Sequence, residues 1–487
     1  MKPWKILTLL LIGIITFTAV SQLSSTFSPK PTQTNTKPRS HVALATEYNE
    51  GCLEPTLETR PTWECYEISV DAPVHQAVTV EHDSGESYQV LTFQKNDQTK
   101  FRFTPTQQGS WSFSTGGELT INADRPDYAQ GFVEAKGDKW IRSATGKAFV
   151  PQFVMYNKLD LDEGLDEFVD GHGFTGFHIR TLRDFLDTPD YFEAAVLKTY
   201  RRGGVTHFWI WGDKARGTTP STYGVDVDEL YTEIAARLSP VPGWTLGYGF
   251  DLFEWASAKE LEDLRAKLRD NSSYHHLIGG RGHKNQYREI STKLDYASWE
   301  WHHPSYQDYI EHFEQANDQR DDKRPVFSED RFRIQTPDTP QHYTAEETLQ
   351  GLWHSAIAGG IANIWGNRPA GQKFSDPYPN KAAIKTYSQF IKDNFTVTME
   401  PDNSLINEGY CLRDTDKSGL CYSKQPDTVQ FTLDKFTSPI TVITAVDTKI
   451  SYEEIQVPIT TDTTTINWQP PYPSDWAFHI VSNSVDA

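Results

Sequence analysis

The sequence predicts an α/β protein in which a (β/α)8 TIM barrel is flanked by an N-terminal and a C-terminal β-sandwich. From about residue 148 to about residue 395, apolar β-type runs alternate with helical runs about eight times, as the strands and helices of such a barrel do. The regions before and after contain short alternating runs separated by turn residues, which is typical of small antiparallel sandwiches. We therefore predict sandwiches over 48–135 and 398–487 and the barrel over 136–397.

The N-terminal segment has the pattern of an export signal. Lys2 and Lys5 give it a positive start, and Ile6–Val20 is a continuous apolar-leaning run, shorter than the ~20 residues of a usual membrane span. A cleaved signal peptide within 1–25 and an uncleaved signal anchor that tethers the protein to a membrane both fit this run. Residues 26–47 are mostly polar and rich in Ser, Thr and Pro, which predicts a disordered linker. The protein is therefore expected to be secreted, periplasmic or held at the cell surface.

The four cysteines agree with export. Cys52 and Cys65 lie close in sequence, and so do Cys411 and Cys421. Four cysteines allow three pairings, and we predict the two local ones, with one disulfide in each flanking domain. Free thiols would conflict with the leader, because disulfides persist in oxidising compartments. The cysteine spacing fits no zinc site.

Alternating apolar and polar residues define the strands of the two sandwiches. The clearest runs are Ala77–Val80, Tyr88–Phe93 and Lys100–Phe103 in the N-terminal region, and Val429–Leu433 and Pro439–Val446 in the C-terminal region. Such period-two alternation is expected where one face of a sheet is buried and the other meets water.

The barrel is predicted from eight apolar runs and the helical patterns between them. The strands are placed at Ala148–Asn157, Thr175–Leu182, Thr206–Asp213, Trp244–Asp251, Leu277–His283, Ala297–His303, Pro325–Glu329 and Ile361–Asn367. Helices are placed at Val227–Leu238, Ala258–Leu268, Ser305–Asn317, Thr344–Ala358 and Lys381–Phe395, with a short fifth helix at Tyr287–Leu294. Eight strands in about 250 residues match the size of such a barrel.

Two acidic positions carry the functional prediction. Glu329 ends the seventh strand, and Asp251 or Glu254 follows the fourth. The active site of a TIM barrel lies at the C-terminal ends of its strands, and glycoside hydrolysis needs two carboxylates there. Asp251 is preferred as the acid/base, because Gly247 and Gly249 leave space on its face of the strand, but Glu254 stays open. A salt bridge to a nearby arginine is the structural alternative for Glu329, and a helix cap is the alternative for either strand-four acid.

Polar and aromatic residues stand at the ends of most of the other predicted strands, and we expect them to line a substrate cleft. They are Asn157, His178, Arg180, Trp211, Asp213, Arg281, His283, Trp301, His302, Trp365 and Asn367. Arg180 and Arg281 suit a carboxylate or sulfate on a sugar. His302 and His303 have no third ligand at helical spacing, so we predict no metal and no cofactor.

Composition narrows the class of partner. The chain carries a formal charge of −20 and contains 14 Trp, 22 Tyr and 26 Phe. A strongly acidic surface argues against nucleic acid, whose phosphates require basic patches. Aromatic rings suit carbohydrate, because the apolar face of a sugar stacks on a ring plane. The sequence leaves the oligomeric state open.

Several segments resemble apiosidase-like glycoside hydrolases that carry an N-terminal β-sandwich domain of unknown function. Lys100–Pro105 and Gly109–Thr115 are similar to the closing hairpin of that sandwich, and Ser143–Phe149 is similar to the hairpin that leads into barrel strand one. Pro325–Glu329 looks like the strand that ends in the nucleophile, and Trp353–Gly360 looks like the helix that enters strand eight.

The resemblance implies a glycoside hydrolase that acts by retention, with Glu329 as nucleophile. One departure concerns the acid/base strand, which usually ends in a glutamate in this family and here reads Gly249–Glu254. Two other functions stay open. One is a catalytically inactive glycan-binding surface protein of the same fold. The other is a polysaccharide lyase that uses Tyr or His with Arg and releases unsaturated sugars.

Overall fold

The computed structural model describes residues 50–156, 161–179, 181–282, 289–300, 303–318, 322–335, 342–366, 378–415, 417–459 and 464–482. The predicted leader and linker, 1–47, lie outside these ranges. None of the helices within the ranges is long and apolar enough to cross a membrane.

The N-terminal region is a sandwich of two antiparallel sheets. Its strands are β1 (Tyr66–Ser69), β2 (Ala77–His82), β3 (Ser87–Leu91), β4 (Phe93–Lys95), β5 (Gln98–Phe103), β6 (Gly109–Phe113) and β7 (Glu118–Ile121). One sheet has the order β3-β2-β6-β7 and the other the order β1-β5-β4. In β2 the buried positions alternate with exposed ones, so that Val78 and Val80 face Phe101 and Phe103 in one apolar cluster. The predicted alternation is confirmed.

A three-stranded sheet separates this sandwich from the barrel. Its strands are β8 (Val133–Lys136), β9 (Lys139–Arg142) and β10 (Lys147–Phe149), with β9 in the centre. The run that was predicted as one barrel strand, Ala148–Asn157, is therefore divided, because its first residues pair with β9. The domain limits at 135/136 and 397/398 stay a prediction.

Eight parallel strands form the barrel. They are β11 (Gln152–Met155), β12 (Gly176–Ile179), β13 (Val205–Trp209), β14 (Trp244–Gly247), β15 (Ile278–Gly279), β16 (Ala297–Trp299), β17 (Val326–Phe332) and β18 (Ala362–Trp365). Neighbours follow the order β15-β14-β13-β12-β11-β18-β17-β16. A parallel bridge between Gly282 and Trp299 links the two ends of this sheet, which makes the sheet a nearly closed ring and confirms the predicted barrel.

Helices follow most strands and cover the outside of the barrel. They are α1 (Leu161–Gly164, continued by a π-helical turn at Leu165–His172), α2 (Pro189–Arg201), α3 (Pro220–Tyr223), α4 (Val227–Arg237), α5 (Ala258–Asp270), α6 (Tyr306–Asp318), α7 (Ala345–Ile357) and α8 (Lys381–Asn394). Capping boxes begin three of them: Thr219 pairs with Thr222 at α3, Ser257 with Glu260 at α5, and Thr344 with Glu347 at α7. Each box satisfies amide groups that have no partner inside the helix.

The predicted fifth helix is wrong over the residues that the structure describes there. Residues 289–296 contain turns and bends between β15 and β16, and no helix. Their side chains bind neighbouring elements instead, since Glu289 pairs with Arg324 and Lys293 pairs with Glu262.

The C-terminal region is a second antiparallel sandwich. Its strands are β19 (Glu400–Pro401), β20 (Tyr410–Asp414), β21 (Ser418–Ser423), β22 (Val429–Thr432), β23 (Ile440–Asp447), β24 (Glu454–Gln456), β25 (Thr465–Trp468) and β26 (Trp476–Ser482). A six-stranded sheet, β19-β20-β21-β26-β23-β24, packs on the pair β22-β25. It also meets the barrel, where Tyr410 stacks on Tyr306 of α6 at a centroid distance of 3.6 Å.

Both predicted disulfides are present. Cys52 is bonded to Cys65, and Cys411 is bonded to Cys421. The second pair joins directly opposite residues of β20 and β21. Two disulfides are typical of a protein that folds in an oxidising compartment.

A buried charge cluster joins the N-terminal sandwich to the barrel. Arg102 on β5 donates to Glu67 of β1 and to Glu193 of α2, at 2.6 and 2.7 Å. Glu193 also accepts from Arg237 of α4 at 2.5 Å. Because these groups are almost fully buried, each charge depends on its partners to replace water. The cluster therefore couples the position of the sandwich to that of the barrel.

Candidate active site

Glu329 lies inside the barrel, level with the C-terminal ends of strands β13 and β14. It follows Phe327 on the inner side of β17, at a bulge between Ser328 and Arg331 where the pairing with β18 shifts. Across the barrel, its carboxylate reaches Trp209, the last residue of β13. The side chain has no exposed surface. The structure therefore places this glutamate at the catalytic end of the barrel and directs it inward.

Two donors hold the carboxylate of Glu329. The phenol of Tyr296 donates to Oε1 at 2.7 Å, and the indole Nε1 of Trp209 donates to Oε2 at 3.0 Å. Burial raises the pKa of Glu329 above its usual range, and the bonds from Tyr296 and Trp209 together with the charge of Arg281 oppose this rise. The donors fix the orientation of both oxygens and favour the ionised form.

Two glycines make room for this arrangement. A Cβ atom on Gly247 would lie 3.0 and 3.1 Å from the two carboxylate oxygens of Glu329 and 2.7 Å from Trp209. A Cβ atom on Gly279 would lie 2.0 Å from the ring of Tyr296. A side chain on β14 or β15 at these positions would displace the glutamate or its donor.

Two histidines continue the network below Tyr296. The Nδ1 atoms of His178 and His207 are 2.8 Å apart, and His207 Nε2 is 3.4 Å from the Tyr296 hydroxyl. Burial lowers the pKa of His207 to about 3, so its ring is neutral and carries one proton. When Glu329 is ionised, Tyr296 donates to it and accepts from His207 Nε2, which leaves His207 Nδ1 to accept from His178. One ordered chain of hydrogen bonds then ends on the carboxylate.

Arg281 gathers further acidic side chains at the same end of the barrel. One of its terminal nitrogens, Nη2, lies 3.1 Å from Asp251 Oδ1 and 3.0 Å from Glu300 Oε2. The other, Nη1, donates to the backbone carbonyl of Glu329 at 3.0 Å. Arg281 is buried, while the side chains of Asp251 and Glu300 are 35% and 20% exposed. The site thus contains one buried carboxylate and two that solvent reaches.

The two candidates after strand four differ in position. Asp251 has a left-handed backbone, with φ of 53°, which begins the turn Leu252–Glu254 and directs its carboxylate to Arg281. Glu254 ends that turn and is exposed. Only Asp251 of the two has a contact with the cluster among the described contacts. Arg281 was expected to bind an acidic group of the substrate, and instead it holds carboxylates of the protein itself.

Sequence reasoning missed four residues of the cluster: His207, Trp209, Tyr296 and Glu300. The sequence pattern contains a signal for two of them, Tyr296 and Glu300. Tyr296, Ser298 and Glu300 alternate on strand six, so a period-two reading from one inward residue would have found the others.

Three predicted cleft residues lie elsewhere. Trp211 is fully buried and donates to Tyr231 of α4 at 2.9 Å, between the barrel and its helices. Trp365 also faces the helix layer and donates to Gln152 at 2.6 Å. Asp213 caps the turn Lys214–Arg216 by accepting from the Ala215 amide at 2.7 Å. Trp211 and Asp213 lie beyond the end of β13, where the chain turns, and Trp365 lies on the face of β18 that meets the helices.

Six further cleft predictions fall outside the described residues. They are Asn157, Arg180, His283, Trp301, His302 and Asn367. Within the described ranges, no group of three or more His, Cys, Asp or Glu side chains is placed to hold a metal ion.

Comparison with known proteins gives the same fold. No protein-family model matches the chain, and no curated protein sequence matches it. A solved structure from Bacteroides vulgatus ATCC 8482, itself only provisionally assigned as a glycoside hydrolase, superposes with a TM-score of 0.66 over 88% of this chain and 100% of its own, at 13% identity. A second, named a glycoside hydrolase, has a TM-score of 0.60 over 74% of this chain and 99% of its own, at 13% identity.

A third neighbour is a family 5 glycoside hydrolase from the same Bacteroides strain. It has a TM-score of 0.57 and 14% identity, and the match covers 74% of this chain and 95% of the other. At this level of identity the superpositions show a shared fold and no more. Function does not follow from fold alone, so it has to be argued from the site.

Proposed function

We propose that the protein is an exported glycoside hydrolase that cleaves a poly- or oligosaccharide with two carboxylates. Glu329 is the nucleophile, Asp251 is the acid/base, and the reaction proceeds with retention. The observation that carries this proposal is the inward glutamate of strand seven, held by Tyr296 and Trp209 beside the acidic pair on Arg281.

The environment of Glu329 suits a nucleophile. Attack on the anomeric carbon requires an ionised carboxylate whose oxygens are fixed in direction. Tyr296 and Trp209 can only donate to it, so they support the charge and set the orientation. Gly247 keeps the space beside both oxygens free of a side chain.

Asp251 is the better placed acid/base of the two strand-four candidates. The acid must meet the leaving oxygen at the mouth of the barrel, and Asp251 is partly exposed there beside the cluster, whereas Glu254 has no described contact with it. The carboxylates of Asp251 and Glu300 both contact Nη2 of Arg281, so the two side chains lie side by side at the mouth of the barrel. Glu300 is therefore the second candidate for this role.

The proposal also includes export from the cytoplasm. The two disulfides favour an extracellular or periplasmic location, and the leader at 1–25 supplies the route, either by cleavage or as a retained anchor. A carbohydrate outside the cytoplasm is then the natural substrate.

One observation favours a different function, that of a glycan-binding protein without activity. Glu329 has no exposed surface, and a carboxylate covered by protein cannot touch a sugar unless neighbouring groups move. On this alternative the carboxylates stabilise the barrel and the mouth binds glycan without cleaving it.

A polysaccharide panel separates these functions. The purified protein is incubated with neutral and acidic polysaccharides, and new reducing ends are measured together with absorbance near 235 nm. Reducing ends without ultraviolet absorbance support hydrolysis, and absorbance shows a lyase. Binding by affinity electrophoresis without any product on the bound glycan supports the inactive alternative. For a cleaved substrate, proton NMR during the first turnovers gives the anomer, and retention supports the proposed mechanism.

A further inference from the structure

A cavity lies at the end of the barrel opposite to Glu329. It has a volume of about 730 Å³, which is within the range of small-molecule sites. Its wall includes Val150 and Gln152 at the start of β11, Thr175 before β12, and Gly204 before β13. These are N-terminal ends of barrel strands, so the cavity is separate from the proposed catalytic mouth.

Arg142, at the end of β9, lines this cavity and is 5% exposed. Its Nη1 donates to the carbonyl of Gly204 at 3.4 Å, and its Nη2 donates to the carbonyl of Gly131 at 3.2 Å. The Nε atom is buried without a hydrogen-bond partner. The guanidinium therefore makes two long bonds to backbone oxygens and leaves donors unused, because an arginine has five.

Arg142 differs from the other buried arginines of the described structure. Five arginines are buried, and four of them bind a carboxylate: Arg102, Arg237, Arg281 and Arg324. No carboxylate lies within ion-pair distance of Arg142 among the described residues. Burial lowers the pKa of Arg142 to about 10, which leaves it charged near neutral pH.

A buried charge without a counter-ion is unfavourable, so a folded protein rarely keeps one unless a ligand completes the site. The rings of Phe149 and Tyr200 lie 5.7 and 5.9 Å from the Arg142 guanidinium and compensate only part of this cost. Other charged side chains border the cavity: Arg125, Lys147 and Lys392 are cations, Asp127 and Asp393 are carboxylates, and Arg202 is paired with Asp166 and Asp170. Most of the charge at the rim is therefore balanced, and the demand for an anion rests on Arg142.

We propose that this cavity binds a small molecule through a carboxylate or sulfate group that Arg142 holds. The N–H groups that Arg142 leaves unused can donate to two oxygens of such a group in the planar geometry of a guanidinium, once the protein atoms that cover Nε move aside. The competing account is that Arg142 only ties the loops of Gly131 and Gly204 together, which would need no ligand.

The test is isothermal titration calorimetry on the purified protein with sodium sulfate, acetate, phosphate and glucuronate, at constant ionic strength set by sodium chloride. We expect saturable binding of at least one oxyanion and a matching rise of the unfolding temperature. The comparison of acetate with glucuronate shows whether a simple carboxylate suffices or the sugar ring is also recognised. Absence of saturable binding for all four salts would overturn the proposal.

Variants locate the site. Arg142→Met is expected to remove binding, and Lys259→Gln, which changes an exposed cation on α5, is expected to leave it unchanged. If the methionine variant does not fold, Arg142→Lys keeps the charge and loses the fork, and affinity should fall at least about tenfold. Equal affinity of the wild type and a folded Arg142 variant would also refute the assignment.

Discussion

The phenol oxygen of Tyr296 lies 2.7 Å from Oε1 of Glu329 and donates its proton to that carboxylate. Tyr296 stands just before β16, whereas Glu329 lies well inside β17. The two strands start level, with Ala297 opposite Val326, so they meet because the long Tyr296 side chain reaches along the interior of the barrel to Glu329. This contact sets the charge and direction of the proposed nucleophile.

Removal of the Tyr296 hydroxyl should slow the reaction and move its pH profile. Because a hydrogen bond to a charged group contributes about 1.5–3 kcal/mol, Tyr296→Phe is expected to lower kcat/KM by roughly 10- to 100-fold. Burial already raises the pKa of Glu329, and Tyr296 is one of the groups that oppose this rise. Without it the ionised form appears only at higher pH, so the acidic limb of kcat/KM moves to higher pH. An unchanged acidic limb would contradict the role of this bond.

Asp251 and Glu254 form a matched pair for the acid/base assignment. Asp251→Asn is expected to lower kcat by about 10²–10⁴-fold on natural glycans, as the loss of a general acid does. Glu254→Gln should stay close to wild type, because Glu254 is exposed on the turn beyond the cluster. On aryl glycosides the phenol can leave as a phenolate without help from an acid. The loss of kcat in Asp251→Asn should therefore be smaller on these substrates. If Asp251→Asn is active and Glu300→Gln shows this behaviour, the role belongs to Glu300.

Gly247 provides a steric test of the site. In Gly247→Ala the new Cβ atom would meet Trp209 at 2.7 Å and the Glu329 carboxylate at 3.0 Å. We expect a loss of about 1–3 kcal/mol in the free energy of unfolding from overpacking, together with a lower kcat. Gly51→Ala is the control, because a Cβ atom there has no neighbour within 4 Å. Equal activity of the two variants would show that the space beside Glu329 is not needed.

The charge cluster between sandwich and barrel should control stability rather than chemistry. Glu193→Gln leaves Arg102 and Arg237 with fewer partners and is expected to cost about 3–5 kcal/mol in urea unfolding, as the loss of one member of a buried pair does. The control is Asp190→Asn, which removes a carboxylate that is 62% exposed from the same Arg237 and should cost at most about 1 kcal/mol. Similar losses in both variants would contradict the account.

The same buried charge cluster should make the folded protein less stable at acidic pH. Burial alone would raise the pKa of Glu67, but Arg102 and Lys95 lower it from its ordinary 4.5 to about 2. A lowered pKa means that the folded state binds fewer protons than the unfolded chain. The contribution of Glu67 to stability is therefore complete above about pH 4.5 and is lost as the pH falls towards 2.

The helices were the most predictable part of the fold. The predicted α5 and α7 agree with the structure to within two residues at each end, because local signals define them: Ser257 with Glu260, and Thr344 with Glu347, begin helices whose apolar residues recur at helical spacing. The fifth helix lacked such a cap and does not form in the described residues.

The sequence predicted where the barrel strands lie, but it did not predict which way the side chains at their ends point. Trp209 and Trp211 have the same parity, yet Trp209 faces Glu329 and Trp211 faces α4, because the strand ends between them and the chain turns. Tyr296 was missed because it stands at the start of its strand rather than at the end, and only its long side chain reaches Glu329. Arg142 could not be found at all, since its lack of a partner is a property of the folded environment.

The most direct test of the central claim is the turnover of Glu329→Ala, measured with and without sodium azide on a glycan that the wild type cleaves. The variant is expected to lose at least about 10³-fold in kcat, as enzymes without their nucleophile do, while far-ultraviolet circular dichroism shows an intact fold. Azide should restore part of the turnover and yield a glycosyl azide of inverted configuration, because it occupies the place of the missing carboxylate. Turnover within about tenfold of wild type, with no effect of azide, would contradict the account.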